Sequence, residues 1–362
     1  MKMGYRQKIF INQRCISLDS PSYFIADIAA NHDGDIERAK DLIYLAAEAG
    51  ADAAKFQHFK AETIVSDYGF KTMGGQLSHQ KDWSKSVFEV YRDASLNEEW
   101  TPILKETCDR ANIDFFTSPY SIALVDEVDP YIPAYKIGSG DITFIEIVEY
   151  IARKNKPVIL ACGASNLEDV KRAIDVITKY NQNVVLLQCN TEYSASVDNF
   201  KYINLNVLNT FKEMYPGMLI GLSDHTPGDV TVLGAIALGG RVIEKHFTDD
   251  NNREGPDHLF SMNPVSWKEM VGKSRQLEMA LGDGIKKVEK NEEETVILQR
   301  RCLRLVHDLP ANAVLKAEDL EALRPAPTGS FEPYLLHELV GKRLVKAKTL
   351  GDAVFEQDIG TL

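Results

Sequence analysis

Short apolar runs that end in polar residues recur between residues 23 and 282, and stretches with helical spacing separate them. In the stretch 35–50, for example, small and apolar residues recur on one helix face: Ala39, Leu42, Ile43, Ala46 and Ala47. The strand-like runs are FIADIAA (24–30), DAAKFQ (52–57), DFFTSP (114–119), AYKIGS (134–139), PVILACG (157–163), VVLLQCN (184–190), LIGLSDH (219–225) and VIEKHF (242–247). Eight strands alternating with helices predict an α/β fold, a (β/α)8 TIM barrel.

An open, doubly wound sheet is the alternative architecture. Such sheets usually have fewer strands and a glycine-rich phosphate loop after the first strand. No GxGxxG follows the first run here, so the barrel is the preferred prediction.

The character of the chain changes after the last run. Residues 284–298 are polar and charged, which predicts a linker, and residues 299–362 carry short strand-like runs without a long helix. Within that tail, DLPANAVLKAEDL (308–320) is loosely echoed by TLGDAVFEQDI (349–359). We therefore predict a barrel domain over 1–283 and a small β-rich module with internal two-fold similarity at its carboxyl side.

The connection between the second and third runs is unusually long. Residues 66–96 are typical of a loop with a short helix, and we expect them to form a lid over the barrel mouth.

Composition narrows the class of protein. The 362 residues include 41 Lys+Arg and 53 Asp+Glu, and the net charge of −12 argues against a nucleic-acid partner. There is no apolar run of about 18 residues for a membrane span and no apolar core of a signal peptide near the start. The five cysteines are widely spaced, which is typical of reduced thiols. We expect a cytoplasmic enzyme.

Polar residues cluster at the ends of the predicted strands, where the reactive groups of parallel barrels lie. They are Asp27, Asn31, His32, Lys55, Gln57, Ser118, Lys136, Ser139, Asn190, Thr191, Tyr193, Ser223, Asp224, His225, Glu244, Lys245 and His246. So many polar groups predict a catalytic mouth rather than a structural rim alone.

Two histidines end consecutive strands, so the imidazoles of His225 and His246 could reach one divalent ion. The alternative is a pair of rim histidines bonded to backbone. Glu244 and Asp224 beside them favour the metal, because carboxylates orient ligands or bound water. Four histidines without such a setting are interpreted as surface or loop residues: His79, His258, His307 and His337.

Two lysines form a second group. Lys55 and Lys136 follow apolar strand residues, so each ammonium should point into the mouth. With the hydroxyls of Ser118 and Ser139 and the backbone N–H groups of GSG (138–140), they predict a site for phosphate or a phosphate-carboxylate compound. A Schiff-base lysine and lysines merely paired with acidic neighbours are the alternatives.

Six ordered motifs resemble those of the sialic acid synthase family. They are IADIAANHDGD, KFQ, PAYKIGSGD, GLSDHT, EKHFTDD and GPDHLFSMNP, and residues 300–360 resemble that family's antifreeze-like (SAF) domain. The family condenses phosphoenolpyruvate with an N-acylated hexose to a nine-carbon 2-keto acid and releases phosphate. The resemblance therefore implies a phosphoenolpyruvate-dependent transferase.

The resemblance also implies roles for single residues. His225 and His246 correspond to the metal ligands, with Mn2+ expected and Mg2+ or Co2+ as alternatives. Arg324 corresponds to an arginine that reaches the partner subunit's sugar site in a domain-swapped homodimer. The implied catalytic residues are Asp27, Lys55, Lys136 and Glu244. The implied substrate-binding residues are Gln57, Ser118, Ser139, Asn190, Thr191, Tyr193, Ser223, Asp257 and Arg324.

Three positions depart from the family pattern. Asp27 stands where a glutamate is usual, ACG (161–163) replaces a common serine or threonine, and RPAPTG (324–329) lacks the usual glycine after Pro325. None of the three removes the lysines or the histidine pair.

The acceptor and two other functions stay open. N-acetylmannosamine and a 2,4-diacetamido-2,4,6-trideoxyhexose are both candidate acceptors, whereas a 6-phosphorylated sugar would need a further basic cluster. An aldolase on the same barrel would release no phosphate. A sugar-binding protein with a disabled barrel would bind sugar without turnover.

Overall fold

The computed structural model describes residues 5–73, 76, 80–81 and 83–360. The chain divides into two compact units, the first ending at Gly282 and the second beginning at Asp283. No helix among the described residues is long and apolar enough to cross a bilayer.

The first unit is built around eight parallel strands, preceded by a hairpin of β1 (Lys8–Ile11) and β2 (Arg14–Ser17). The parallel strands are β3 (Tyr23–Asp27), β4 (Ala53–His58), β5 (Asp114–Pro119), β6 (Tyr135–Ile137), β7 (Val158–Ala161), β8 (Val184–Cys189), β9 (Leu219–Asp224) and β10 (Val242–His246). The first and last of these eight strands, β3 and β10, pair in parallel, with Asp27 opposite His246. Strands β5 and β6 also lie side by side, so the sheet closes on itself. The predicted TIM barrel is confirmed.

Helices follow the strands, and most of them cover the outside of the barrel. They are α1 (Ile36–Glu48), α2 (Ala61–Ile64), α3 (Asp67–Thr72), α4 (Val87–Ala94), α5 (Thr101–Ala111), α6 (Ile122–Val128), α7 (Ile145–Arg153), α8 (Leu167–Tyr180), α9 (Phe200–Ile203), α10 (Val207–Met214), α11 (Val230–Ala237) and α12 (Pro264–Leu281). Helix α1 shows why they form: the Asp35 carboxylate accepts the N–H groups of Glu37 and Arg38, and an apolar face beginning at Ala39 is buried.

The hairpin closes the amino-terminal end of the barrel. Ile9, Ile11 and Ile16 join one buried cluster with the inward-facing side chains of Ile25 and Phe116. A separate, larger apolar core lies between the outer face of the strands and the helices. Apolar packing therefore fills the lower barrel and leaves only the carboxyl ends of the strands for a cavity.

The long connection predicted to be a lid contains α3 and α4. The ring of Phe59, just after β4, lies 5.3 Å from that of Tyr91 in α4 and 6.1 Å from that of Tyr120. Positions 74, 75, 77–79 and 82, including His79, which was predicted to be a surface or loop residue, lie outside the described residues.

The second unit is small and composed of short elements, as predicted. They are α13 (Glu293–Gln299), β11 (Cys302–Leu305), β12 (Leu320–Leu323), α14 (Leu336–Leu339), β13 (Arg343–Leu344) and β14 (Ile359–Gly360). Helix α13 begins within the predicted linker, at Glu293. A compact leucine-rich core, including Leu303, Leu305 and Leu344, holds the unit together.

Backbone hydrogen bonds confirm the internal two-fold similarity of this unit. Val306 N–H donates to the carbonyl of Asp319, and Val345 N–H donates to that of Asp358 at the corresponding positions of the second half. Each of these aspartates also accepts, through its side chain, an N–H three residues upstream. The echo seen in the sequence is thus a repeated local structure.

Candidate active site

A cavity of about 410 Å³ opens at the carboxyl ends of the barrel strands. Most sequence-predicted site residues line it: Asp27, Lys55, Gln57, Ser118, Lys136, Ser139, Tyr193, Ser223, His225, Glu244, His246 and Asp257. Asn190 and Thr191 follow β8 but are not among the lining residues. The structure therefore brings together a mouth that the strand ends predict.

Strand alternation decides which of the predicted mouth residues face the cavity. Glu244 and His246 line it, whereas Lys245 between them points outward. The same parity turns Asp224 outward, where Lys245 Nζ donates to its Oδ2 at 2.5 Å. The prediction that these two side chains belong to the mouth is therefore wrong, although each directly precedes one of the two histidines.

Both cavity lysines are buried and paired with carboxylates. Lys55 Nζ donates to Asp27 Oδ2 at 2.5 Å, and Lys136 Nζ lies 3.3 Å from Glu244 Oε1. Burial lowers the pKa of Lys55, but Asp27 and Glu244 outweigh it and raise the pKa above its usual value. Lys55 is therefore an ammonium ion, which disfavours its use as a Schiff-base nucleophile.

Glu244 is the central anion of the site. Burial alone would raise its pKa, but Lys136 and Lys55 lower it to about 2, helped by the Ser223 hydroxyl, which donates to Oε1 at 2.9 Å. Its other oxygen, Oε2, is buried and has no hydrogen-bond partner among the described residues, and neither has Ser118 Oγ. These atoms are available to a ligand in the cavity.

Three other carboxyl groups in this region have raised pKa values, so each is more easily protonated than an exposed aspartate. Burial raises the pKa of Asp257 to about 7 and that of Asp141 to about 6, and it also raises the pKa of Asp27. Asp257 Oδ2 accepts the N–H of Ala30 at 3.2 Å, which ties it to the loop after β3. The cavity thus offers groups able to take or give a proton.

The two predicted metal ligands face each other. The ring centroids of His225 and His246 are 5.3 Å apart, and His225 Nδ1 lies 2.8 Å from the carbonyl oxygen of Asn190. His246 Nε2 lies 3.6 Å from Asp27 Oδ2. Its Nδ1 is buried without a hydrogen-bond partner among the described residues.

The donor set of this pair fits a divalent cation. Burial lowers the pKa of His225 to about 4 and that of His246 to about 3, with Lys55 adding to the effect at His246. Both imidazoles are therefore neutral, as metal ligands must be. No group of three or more His, Cys, Asp or Glu in the described parts of the chain forms a closed metal site. Two neutral imidazoles would leave coordination positions open.

The turn after β7 packs tightly against the anion pocket. Gly163 N–H donates to Ser139 Oγ at 2.9 Å. A Cβ at Gly163 would lie 2.6 Å from Thr191 Cγ2, 3.0 Å from Ser139 Oγ and 3.1 Å from Cys189 Sγ. The ACG sequence therefore supplies a backbone N–H to the pocket wall at a position where any side chain would press on Thr191, Ser139 and Cys189.

An aromatic wall was missed by the sequence analysis. Phe59 and Tyr120 directly follow β4 and β5, and Trp83 and Tyr91 come from the lid segment. Reading two residues further past each strand would have found the first pair. Nothing in the sequence indicates how the lid segment folds back over the cavity.

His258 lies in the loop after β10, in keeping with its interpretation as a surface or loop residue, but it is fully buried and not on the surface. Its Nε2 lies 2.9 Å from Asp33 Oδ1 and its Nδ1 lies 2.7 Å from Thr248 Oγ1. These contacts fix the loop after β10, which carries Asp257. The side chains of His307 and His337 are exposed, as predicted.

Arg324 lies in the second unit, directly after β12, where its Nε donates to the carbonyl of Gln299. Its implied part in a partner subunit's sugar site stays a prediction.

The comparisons with known proteins assign the class. The NeuB family model matches residues 42–286 and the SAF domain model matches residues 300–359. The chain belongs to the NeuB family, which confirms the resemblance found in the sequence. It is an enzyme of the class that condenses phosphoenolpyruvate with a sugar.

Individual relatives span nearly the whole chain. N,N'-diacetyllegionaminic acid synthase of Legionella pneumophila is 36% identical and covers 93% of this chain and 94% of its own. Pseudaminic acid synthase of Campylobacter jejuni is 32% identical, with 94% and 97% covered. The crystal structure of N-acetylneuraminic acid synthetase from Leptospira borgpetersenii has a TM-score of 0.71 at 27% identity, covering 80% and 95%.

Proposed function

We propose that the protein condenses phosphoenolpyruvate with an unphosphorylated N-acylated hexose, in a metal-dependent reaction that yields a nine-carbon 2-keto sugar acid and phosphate. The observation that carries this proposal is that two buried ammonium groups and two neutral imidazoles line one cavity. The first pair suits an anionic donor and the second suits a cation that binds a carbonyl oxygen.

The donor belongs at the lysine side of the cavity. Lys55 and Lys136 are almost completely buried, so their attraction for a phosphate or carboxylate is weakly screened. Ser118 Oγ lacks a partner and Ser139 Oγ faces the same pocket. These groups would orient phosphoenolpyruvate and offset the charge on the departing phosphate.

The metal belongs at the histidine side, held by His225 and His246. We propose Mn2+, with Mg2+ or Co2+ as alternatives. An ion held there would supply Lewis-acid chemistry to the aldehyde group of the open-chain sugar.

The carboxylates would manage water and protons in the overall reaction. Carbon 3 of phosphoenolpyruvate attacks the aldehyde carbon, water adds at carbon 2, and cleavage of the C–O bond releases phosphate. Glu244 lies within 4 Å of the Nζ atoms of both lysines, and Asp27 Oδ2 lies 2.5 Å from Lys55 Nζ and 3.6 Å from His246 Nε2. From there they can orient the water and accept its proton.

The lid favours a 2,4-diacetamido-2,4,6-trideoxyhexose, the acceptor for legionaminate or pseudaminate, over N-acetylmannosamine. The wall near the lid is apolar or aromatic: Phe59, Ile64, Trp83, Val90, Tyr91 and Ala94. Lys55 and Lys136 are the only lysines or arginines among the described lining residues, so a second phosphate has no cation to bind. We further propose a cytoplasmic, domain-swapped homodimer in which Arg324 serves the partner's site, on the strength of the family resemblance.

One assay tests the proposal. The protein is incubated with phosphoenolpyruvate, Mn2+ and each sugar in turn, released phosphate is measured, and the keto acid is identified by mass. His246→Ala should abolish phosphate release, whereas His337→Ala, at an exposed histidine of the second unit, should not. A condensation product formed without phosphate would instead establish an aldolase, and sugar binding without turnover a disabled barrel.

A further inference from the structure

A buried ion pair lies directly behind the histidine pair. Asp224 and Lys245 are opposite each other in the parallel register of β9 and β10, and each immediately precedes one of His225 and His246. Lys245 Nζ is 2.5 Å from Asp224 Oδ2, and both side chains are 1% exposed. Neither lines the cavity, so neither can touch a substrate there.

The pair is fully hydrogen-bonded within its own layer. Lys245 Nζ also donates to the carbonyl of Thr226 at 2.6 Å, and the Thr231 hydroxyl donates to Asp224 Oδ2 at 2.6 Å. Thr226 N–H donates to Asp224 Oδ1 at 3.2 Å. These bonds join β9, β10 and the start of α11 at the level of the two histidines.

Stability alone does not account for two charges in this position. Apart from Thr231, which donates to Asp224, the buried residues of α11 are apolar: Val232, Ala235 and Ile236. Well-packed apolar residues in place of a buried ion pair are often as stable or more stable, whereas a buried pair specifies one register and one geometry. A role in geometry is therefore the better explanation.

The histidines differ in how their rings are held. His225 Nδ1 is bonded to the carbonyl of Asn190, as ligating histidines usually are to an outer partner. His246 Nδ1 has no such partner among the described residues. The nearest carboxylate oxygens are too far for a hydrogen bond, with Asp257 Oδ2 4.0 Å from Nδ1 and Asp27 Oδ2 3.6 Å from Nε2. The ring packs against Phe260, 4.8 Å away, and the backbone of β10 carries it.

We propose that the Asp224–Lys245 pair is a positioning device that locks the ends of β9 and β10 and so sets the spacing of His225 and His246 for one divalent ion. This inference rests on the metal site of the proposed function. Removal of the pair should weaken metal binding even in a protein that folds as stably as the native one.

The test is the double variant Asp224→Leu/Lys245→Met, which replaces the pair by apolar residues. Thermal unfolding should be unchanged or improved, whereas Mn2+ affinity of the substrate-free protein, measured by calorimetry, should fall about 10- to 100-fold, the usual loss for outer partners of metal ligands. The electron paramagnetic resonance spectrum of the bound Mn2+ should change. Thr231→Val, which leaves the pair but removes one bond to Asp224, should weaken Mn2+ binding less and serves if the double variant does not fold.

A matched control is the buried pair of the second unit, Lys348 and Asp358, also 2.5 Å apart. Lys348→Met/Asp358→Leu should leave Mn2+ affinity unchanged. If His246→Ala abolishes Mn2+ binding but both the double variant and Thr231→Val bind Mn2+ with native affinity, the positioning role is overturned. Native Mn2+ affinity in His246→Ala would overturn the metal site itself, and the positioning role with it.

Discussion

Gly163→Ala is the substitution whose effect the structure defines most closely. The new Cβ would lie 2.6 Å from Thr191 Cγ2, although carbon atoms pack at about 3.5–4.0 Å. It would also press on Ser139 Oγ at 3.0 Å and on Cys189 Sγ at 3.1 Å. The φ angle of Gly163 is not in the left-handed region, so the cost comes from lack of space rather than from backbone strain.

The size of the effect follows from overpacking a buried site. Such insertions cost about 1–3 kcal/mol in free energy of unfolding. For a unit of this size each kcal/mol lowers Tm by about 2–4 °C. The turn must also move away from Ser139, which lengthens the bond from Gly163 N–H, so the KM for phosphoenolpyruvate should rise more than kcat falls.

Thermal unfolding and phosphate-release kinetics with varied phosphoenolpyruvate test this reasoning. Gly272→Ala in α12 is the control, because its Cβ would meet no described atom within 4 Å and alanine favours a helix by about 1 kcal/mol. Its Tm should rise slightly with unchanged KM. A Gly163→Ala protein with native Tm and native KM would refute the argument that the pocket wall has no room.

Three further predictions follow from single side chains. Lys136→Met should raise the KM for phosphoenolpyruvate about 10- to 150-fold, the equivalent of one charge-assisted bond of about 1.5–3 kcal/mol, and an unchanged KM would remove Lys136 from the donor site. Complete chelation of divalent ions should stop phosphate release, and a retained rate would contradict the metal role of His225 and His246. His58 is held between Thr101 and Thr117, and burial lowers its pKa to about 4. Below about pH 6.5 the unfolded chain therefore binds more protons than the folded one, and about 2 kcal/mol of the free energy of unfolding is lost by pH 5. Urea unfolding as a function of pH should show a smaller loss in His58→Gln.

The barrel and its mouth could be predicted because both depend on local patterns. Apolar runs with polar ends gave the strands, and parallel strands place their carboxyl ends together whatever the details of packing. Lys55 and Lys136 were found in this way. Asp224 and Lys245 were wrongly placed in the mouth because adjacent residues of a strand face opposite sides of the sheet. Since His225 and His246 line the cavity, the residues directly before them cannot.

Other parts of the site depend on contacts that no local pattern carries. His258 is buried because it meets Asp33, 225 positions earlier in the chain. The wall formed by Trp83 and Tyr91 depends on how the lid segment returns to the barrel. Pairing between distant loops is decided by tertiary packing, which hydrophobic periodicity does not encode.

The hairpin beneath the barrel turns the active-site cavity into a dead end. Everything that reaches the site must pass the same opening, and the lysines, which lie within the strands, are deeper than the aromatic wall, which follows them. A sugar seated under the lid would block the way to Lys55 and Lys136. In the proposed reaction the donor would therefore have to arrive before the acceptor, and phosphate could leave only after the sugar acid, so we expect ordered steady-state kinetics.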